Sequence, residues 1–277
     1  MPAESAAARS DAWVQETVVR VRCVDFPWDM TRALELALFR TFASPRIGGL
    51  LCATGEFTTG AQRRYDDTDL LLSEIVENGY ESERGRRAIA RMNEIHARFR
   101  IRNDDFLYVL STFVLEPFRW IERYGWRDLT EPERDAWFRF WMAVGKRMGI
   151  GGVPDAFAVL SDYSTAYERE HFQLTQATEE VARRVIDLFA SWYPAPTRPV
   201  VREAIRALLD PPLLAAIGLT EAPGWRQSAV LRALRLRAAM VRALPRRTRP
   251  VLRCLIERRH LPGGYEIEAL GPPPPRR

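Results

Sequence analysis

Helical spacing of apolar residues runs through almost this whole chain and leaves little room for a sheet. From Asp29 to Ala243, apolar side chains recur at intervals of three and four, the repeat that lines one face of an α-helix. The only β-branched run is Thr17 to Cys23, and it is short. The pattern predicts an all-α fold with helices over 29–43, 47–53, 60–78, 82–100, 104–124, 131–148, 155–171 and 175–191, then 198–209, 211–217 and 225–243. Asp29, Asn103 and Thr130 read as N-caps, and Thr130 with Glu133 has capping-box spacing. Ser44-Pro45 stops a helix, and Gly125 and Gly149 read as C-terminal stops. The expected organisation is a disordered N-terminus over 1–12 and a single multi-helix domain over 13–245. A basic helical extension follows over 246–277, ending in a disordered Pro-rich tail, Gly271-Pro-Pro-Pro-Pro-Arg-Arg277.

With 277 residues, 47% of them hydrophobic, the chain can bury a sizeable core, which excludes global disorder. The net charge of +5 invites a nucleic-acid reading. Lys146 is the only lysine, however, and acids are interleaved with the arginines through most of the chain. That describes a solvated ion-pair surface, and no recognition motif accompanies it, so no nucleic-acid partner is expected. Cys23, Cys52 and Cys254 form no CxxC pair and read as free thiols in a reducing compartment. Met1 to Asp11 lacks the apolar core of a signal peptide, and no window reaches the ~18 to 20 apolar residues of a membrane span. A cytoplasmic protein, soluble or peripheral to a membrane, is the expectation. There is no Gly-x-Ser-x-Gly and no phosphate-cradling loop.

Three histidines are present, and His96 carries the strongest signal. Ile89, Met92, His96 and Phe99 share one helix face, so the imidazole points inward. A core histidine with a hydrogen-bond partner and a metal ligand fit that pattern equally well. In the preceding helix Arg64 and Thr68 lie four apart on a face that continues through Leu71 or Leu72 to Ile75. Such an arginine needs an anion, either a carboxylate from another helix or an anionic cofactor, or else must reach solvent. Pro117 falls inside a periodic run and frees the carbonyl of Phe113, while Glu116 beside it can take a freed backbone group or a buried arginine. Glu168-Arg-Glu-His171 is half a di-iron motif, but Asn93 stands at the matching offset from His96, so that alternative lacks ligands.

In order along the chain, several stretches resemble the MpaB/rubber oxygenase family, most closely its MpaB-type branch. They are Phe26-Pro-Trp28, Ala37-Leu-Phe-Arg-Thr41, Thr54-Gly-Glu-Phe57, Arg64-x-x-x-Thr68 and Arg91-Met-Asn-x-Ile-His96. Asn103-Asp-Asp-x-Leu-Tyr108, Glu116-Pro-x-Arg-Trp120, Tyr124-x-Trp-Arg127 and Tyr167-Glu168 follow, so the set spans about half the chain. The resemblance implies an all-α domain enclosing a b-type haem, with His96 as proximal iron ligand. It places Arg64 and Thr68 at the distal side of the pocket or on the propionates, with Arg91 and Asn93 as further cofactor-binding residues. Second roles for Glu116, Tyr167 and His171 would follow, each beside a plain packing role. Dioxygen would be co-substrate in cleavage or oxidation of a carbon–carbon double bond of an apolar isoprenoid or prenylated molecule; the MpaB type does this in natural-product synthesis. A haem-binding protein without turnover is the alternative. Asp67 stands where latex-clearing proteins carry a lysine that can bind iron, which makes it either a proton or water handler or a solvent-facing residue. No N-terminal anchor like that of the fungal type is expected. A basic helix over 225–260 offers two readings, peripheral contact with an anionic membrane or packing of its leucines on the domain.

Overall fold

The protein, seen in a computed structural model, is described over residues 10–258 and 260–272; the expected disorder of residues 1–9 and 273–277 lies outside these. It is all-helical, with thirteen α-helices and no β-strand among the described residues. In chain order they are α1 (Asp11–Val19), α2 (Pro27–Phe42), α3 (Pro45–Ala53), α4 (Glu56–Thr59), α5 (Ala61–Asn78), α6 (Glu83–His96) and α7 (Asn103–Tyr124). Then come α8 (Glu131–Arg147), α9 (Phe157–His171), α10 (Gln176–Ser191), α11 (Arg198–Leu208), α12 (Pro211–Ala216) and α13 (Gly224–Ala243).

Packing follows the apolar faces. α2 lies along α7, α5 along α6 and α1 along α8. The main core gathers Val14, Met30, Leu70, Ile75, Val114, Trp137 and Trp141, while Phe39, Phe42, Val185, Phe189 and Leu213 form a second cluster under α10 to α12. Thr130 and Glu133 form the expected capping box. α7 runs unbroken through Pro117, and the Trp137 indole donates to the freed carbonyl of Phe113 at 3.1 Å.

Three local expectations are corrected, and one stretch that was given no element proves helical. Thr17 to Cys23 is helical: Val14, Val18 and Val21 bury along one face of α1 and the π-helical turn Arg20–Asp25 that continues it, and burial outweighs β-propensity. That helix starts at Asp11 on a Ser10 cap, so order begins inside the stretch expected to be disordered. Asp29 is not a cap; it is buried in α2 and accepts hydrogen bonds from Trp120 Nε1 at 3.0 Å and from Arg237 at 2.7 Å. Arg102 occupies the cap of α7, and Asn103 instead exchanges two hydrogen bonds with the backbone of Gly151.

The C-terminal extension does not hang free over its described part. α13 packs Leu231, Leu234, Ala238 and Val241 on the main core and leaves Trp225, Leu236, Met240 and Leu244 exposed. Residues 251–258 and 260–272 then run back over α5 and α6. Val251 N–H donates to the Cys23 carbonyl at 2.8 Å, Arg253 and Arg258 pair with Asp69, and Ile267 and Leu270 are buried. Basic composition suggested a tail because the acids it pairs with sit far back in the sequence, on α5. No described helix is long and apolar enough to cross a membrane.

Candidate functional site

A cavity of about 440 Å³ opens between α2, α3, α5, α6 and α7, a size suited to a small-molecule ligand. Leu71, Leu72, Val109, Leu110, Phe113 and Trp141 make its walls apolar, and His96, Arg64, Asp67 and Thr68 share it. α6 ends at His96, earlier than expected, so the imidazole projects from the last turn of the helix, edge-on to Phe106 with ring centroids 5.2 Å apart. Its Nδ1 is buried and makes no hydrogen bond. Burial, and then the Arg64 cation, push the His96 pKa down to about 4, so the ring is neutral near pH 7. A neutral imidazole with an unpartnered nitrogen is a Lewis base in want of an acceptor.

Arg64 comes from α5 one turn before Thr68. It donates to the Thr68 hydroxyl, which donates in turn to the Arg64 carbonyl at 3.0 Å. Its guanidinium lies 5.9 Å from the Phe57 ring centroid and forms no ion pair among the described residues. Burial lowers its pKa, opposed in part by Asp67 and Glu56. Asp67 is buried, not solvent-facing; it accepts the Gly271 N–H at 3.0 Å and so ties the returning C-terminal segment to the cavity wall.

Other residues read from the sequence lie elsewhere. Arg91 donates to the Leu270 carbonyl at 2.8 Å and pairs with Glu94, and Asn93 donates to the Arg147 carbonyl at 3.3 Å; neither lines the cavity. Glu116 takes the buried-arginine option, with Arg40 Nε at 2.7 Å. Arg40 also pairs with Glu168 at 2.9 Å and with Asp210, which uses up half of the Glu-x-x-His motif. Tyr167 donates to Asp105 and stacks on Tyr108, and His171 packs against it at 4.4 Å. No cluster of three or more His, Cys, Asp or Glu side chains able to hold a metal ion occurs among the described residues, which leaves the di-iron alternative without a ligand set.

Two cavity residues escaped the sequence reading. Glu35 accepts from Tyr65 Oη at 2.7 Å and from Arg32 at 2.6 Å, and burial, opposed by Arg32, raises its carboxyl to about 7. Its signal was available, since Thr31, Glu35, Leu38 and Phe42 follow helical spacing. Arg22 also lines the cavity, but the helix that carries it had been read as a β-branched run.

Sequence comparison assigns the chain to a family. Residues 28–243 match the family model "ER-bound oxygenase mpaB/B'/Rubber oxygenase, catalytic domain". The chain is 30% identical over 225 residues to ER-bound oxygenase mpaB of Penicillium brevicompactum, covering 71% of this chain and 57% of that protein. It is 30% identical over 229 residues to mpaB' of the same fungus, covering 76% and 54%, and 34% identical over 153 residues to mpaB of Penicillium roqueforti (strain FM164), covering 53% and 51%. The chain thus spans about half the length of the curated relatives it matches. With the match running from α2 through α13 and taking in most of the cavity lining, the chain belongs to the mpaB/rubber oxygenase catalytic-domain family.

Proposed function

We propose that the cavity holds a b-type haem whose iron is bound by His96, and that the protein is an oxygenase acting on a carbon–carbon double bond of an isoprenoid or prenylated molecule. The observation that carries this reading is the neutral, buried, unpartnered imidazole at the edge of an apolar cavity. A haem iron accepts such a nitrogen, and a haem fits an apolar slot with cations available for its carboxylates. When bound, it would supply the site at which dioxygen is activated.

The chain's own residues prepare that site. Arg64, held by Thr68 and in no ion pair among the described residues, offers its cation to a propionate or to a polar group on the distal side. Leu71, Val109, Leu110 and Phe113 exclude water and receive a hydrocarbon chain. Glu35, with its pKa near neutral, can hold or release a proton at the cavity wall. Cleaving a double bond with one dioxygen yields two carbonyl products that account for both oxygen atoms. The names of the relatives, all oxygenases, support the reaction class.

Protein expressed with ample haem is expected to show a Soret band that His96→Ala weakens or shifts. A colourless wild type would sink the reading. Haem without dioxygen consumption on any polyprenyl substrate would instead leave a haem-binding protein without turnover.

A further inference from the structure

Arg22 is 1% exposed and lines the cavity. It sits in the π-helical turn Arg20–Asp25 between the buried residues Val21 and Cys23. One amino group reaches Ser73 Oγ at 3.4 Å, a long contact, and Nε has no partner. No acidic side chain forms an ion pair with it among the described residues. Glu35, the carboxyl in the same cavity, is engaged by Arg32 and Tyr65 instead.

A guanidinium stays charged in a protein and carries five donors. Burying one without an anion is strongly unfavourable, as breaking a buried ion pair is. Open space beside Arg22 lies in the cavity, so the missing anion must arrive with what fills it. A planar fork of N–H groups matches a carboxylate in bidentate fashion. Ser73, which Arg22 reaches, lies five residues beyond Thr68, which Arg64 reaches, so the two anchoring hydroxyls are roughly 8 Å apart along the axis of α5.

We propose that Arg22 is a carboxylate-binding residue that receives an acid group of the molecule occupying the cavity. Two sources share this chemistry: a haem propionate, and the acid end of an apolar substrate or product. The inference rests on the cavity being a ligand site, as proposed above, but not on the ligand being haem.

The full chain and its Arg22→Met and Arg22→Lys variants would be titrated with two matched pairs: haem against haem dimethyl ester, and farnesoic acid against farnesol. Wild type is expected to prefer the free acid in at least one pair by about tenfold or more, the worth of a buried charge-assisted hydrogen bond. Arg22→Met should abolish that preference while leaving affinity for the neutral member unchanged, and Arg22→Lys should keep part of it. Loss in the haem pair assigns Arg22 to a propionate; loss in the farnesoic pair assigns it to a substrate carboxylate. The same acid preference in wild type and Arg22→Met, or no preference in either pair, overturns the proposal. Folding supplies a second readout. Ligand-free Arg22→Met should melt no lower than wild type, because an unpaired buried charge has been removed; a clearly lower melting temperature would make Arg22 a structural residue and overturn it too. Failure of wild type to bind either form of haem counts against the haem reading alone, and the farnesoic pair then decides for Arg22.

Discussion

Arg40 and Arg22 are both buried arginines, yet their surroundings are opposite. Around Arg40, Glu116 from α7, Glu168 from α9 and Asp210 at the cap of α12 converge on a single guanidinium of α2. Burial alone would lower its pKa, but the three acids more than reverse this and raise it. Tyr108 adds a hydrogen bond to Glu168 at 3.2 Å. Neither Arg22 nor Arg64 forms an ion pair with a carboxylate among the described residues, although Asp67 and Glu56 lie near enough to Arg64 to act on its charge. The first group is complete within the chain and acts as a clamp on four segments. The second is complete only with something from outside. Buried charge by itself therefore identifies neither frame nor site; what separates them is whether the chain supplies the counter-charge.

The same division runs through the family resemblance. Ala37-Leu-Phe-Arg-Thr41, Glu116-Pro-x-Arg-Trp120 and Tyr167-Glu168 meet in the Arg40 clamp. Phe26 stacks on Trp126 at 5.5 Å with Arg127 over the Phe26 ring, which joins Phe26-Pro-Trp28 to Tyr124-x-Trp-Arg127. These signposts describe the frame. Arg64, Thr68 and His96 belong to the cavity.

Breaking the clamp should have the largest effect. Arg40→Met strands Glu116, Glu168 and Asp210 without their shared cation, and a cost of about 3–5 kcal/mol is expected in denaturant unfolding. Arg119 still pairs with Glu116 and softens the loss at that carboxylate only. Arg22→Met, a chemically identical change, should cost nothing in the ligand-free protein. Equal destabilisation by the two would remove the distinction between a completed clamp and an incomplete site.

Glu35 gives a pH test of the incomplete side. Its folded pKa of about 7 stands above the unfolded value of 4.5. Between these, the unfolded chain has released a proton that the folded chain still holds, so this group's contribution to stability falls as pH rises through the window. Above about pH 7 the full penalty applies, of order 3 kcal/mol at most. Glu35→Gln should therefore stabilise the ligand-free protein at about pH 8 and change little at about pH 4 to 5. Urea titrations of both proteins at the two pH values would show it; a Glu35→Gln gain that does not depend on pH would place the carboxyl outside the buried environment described.

Most of the helices could be read from the sequence because each buries one continuous face, and that periodicity is local. Thr130 with Glu133 was legible for the same reason, since a cap is written within four residues. Asp29 was misread because a helix-start aspartate and a buried one look alike until Trp120 and Arg237 are brought to it from other helices. Arg22 was hidden by β-branched neighbours whose burial favours a helix. Periodicity turned His96 inward, and only the folded arrangement shows its Nδ1 without a partner. The returning segment 251–272 was opaque since its arginines answer acids on α5, and nothing local marks such pairings.

That segment sets the smallest and sharpest test. Asp67 could be a proton handler for the cavity or an anchor for the strap, and the Gly271 N–H at 3.0 Å favours the anchor. Gly271 itself has φ +86°, and a Cβ there would collide with Ile95 Cδ1, next to His96. Asp67→Ala leaves the buried Gly271 amide without an acceptor and should cost about 1–3 kcal/mol, whereas Asp67→Asn keeps an acceptor oxygen and should cost less than about 1 kcal/mol. Hydrogen exchange would localise the effect: protection of the Gly271 amide should fall in Asp67→Ala and persist in Asp67→Asn. A strap that stays fully protected in Asp67→Ala would return Asp67 to the chemistry of the cavity and leave Arg91, through its bond to the Leu270 carbonyl, as the main anchor of the segment.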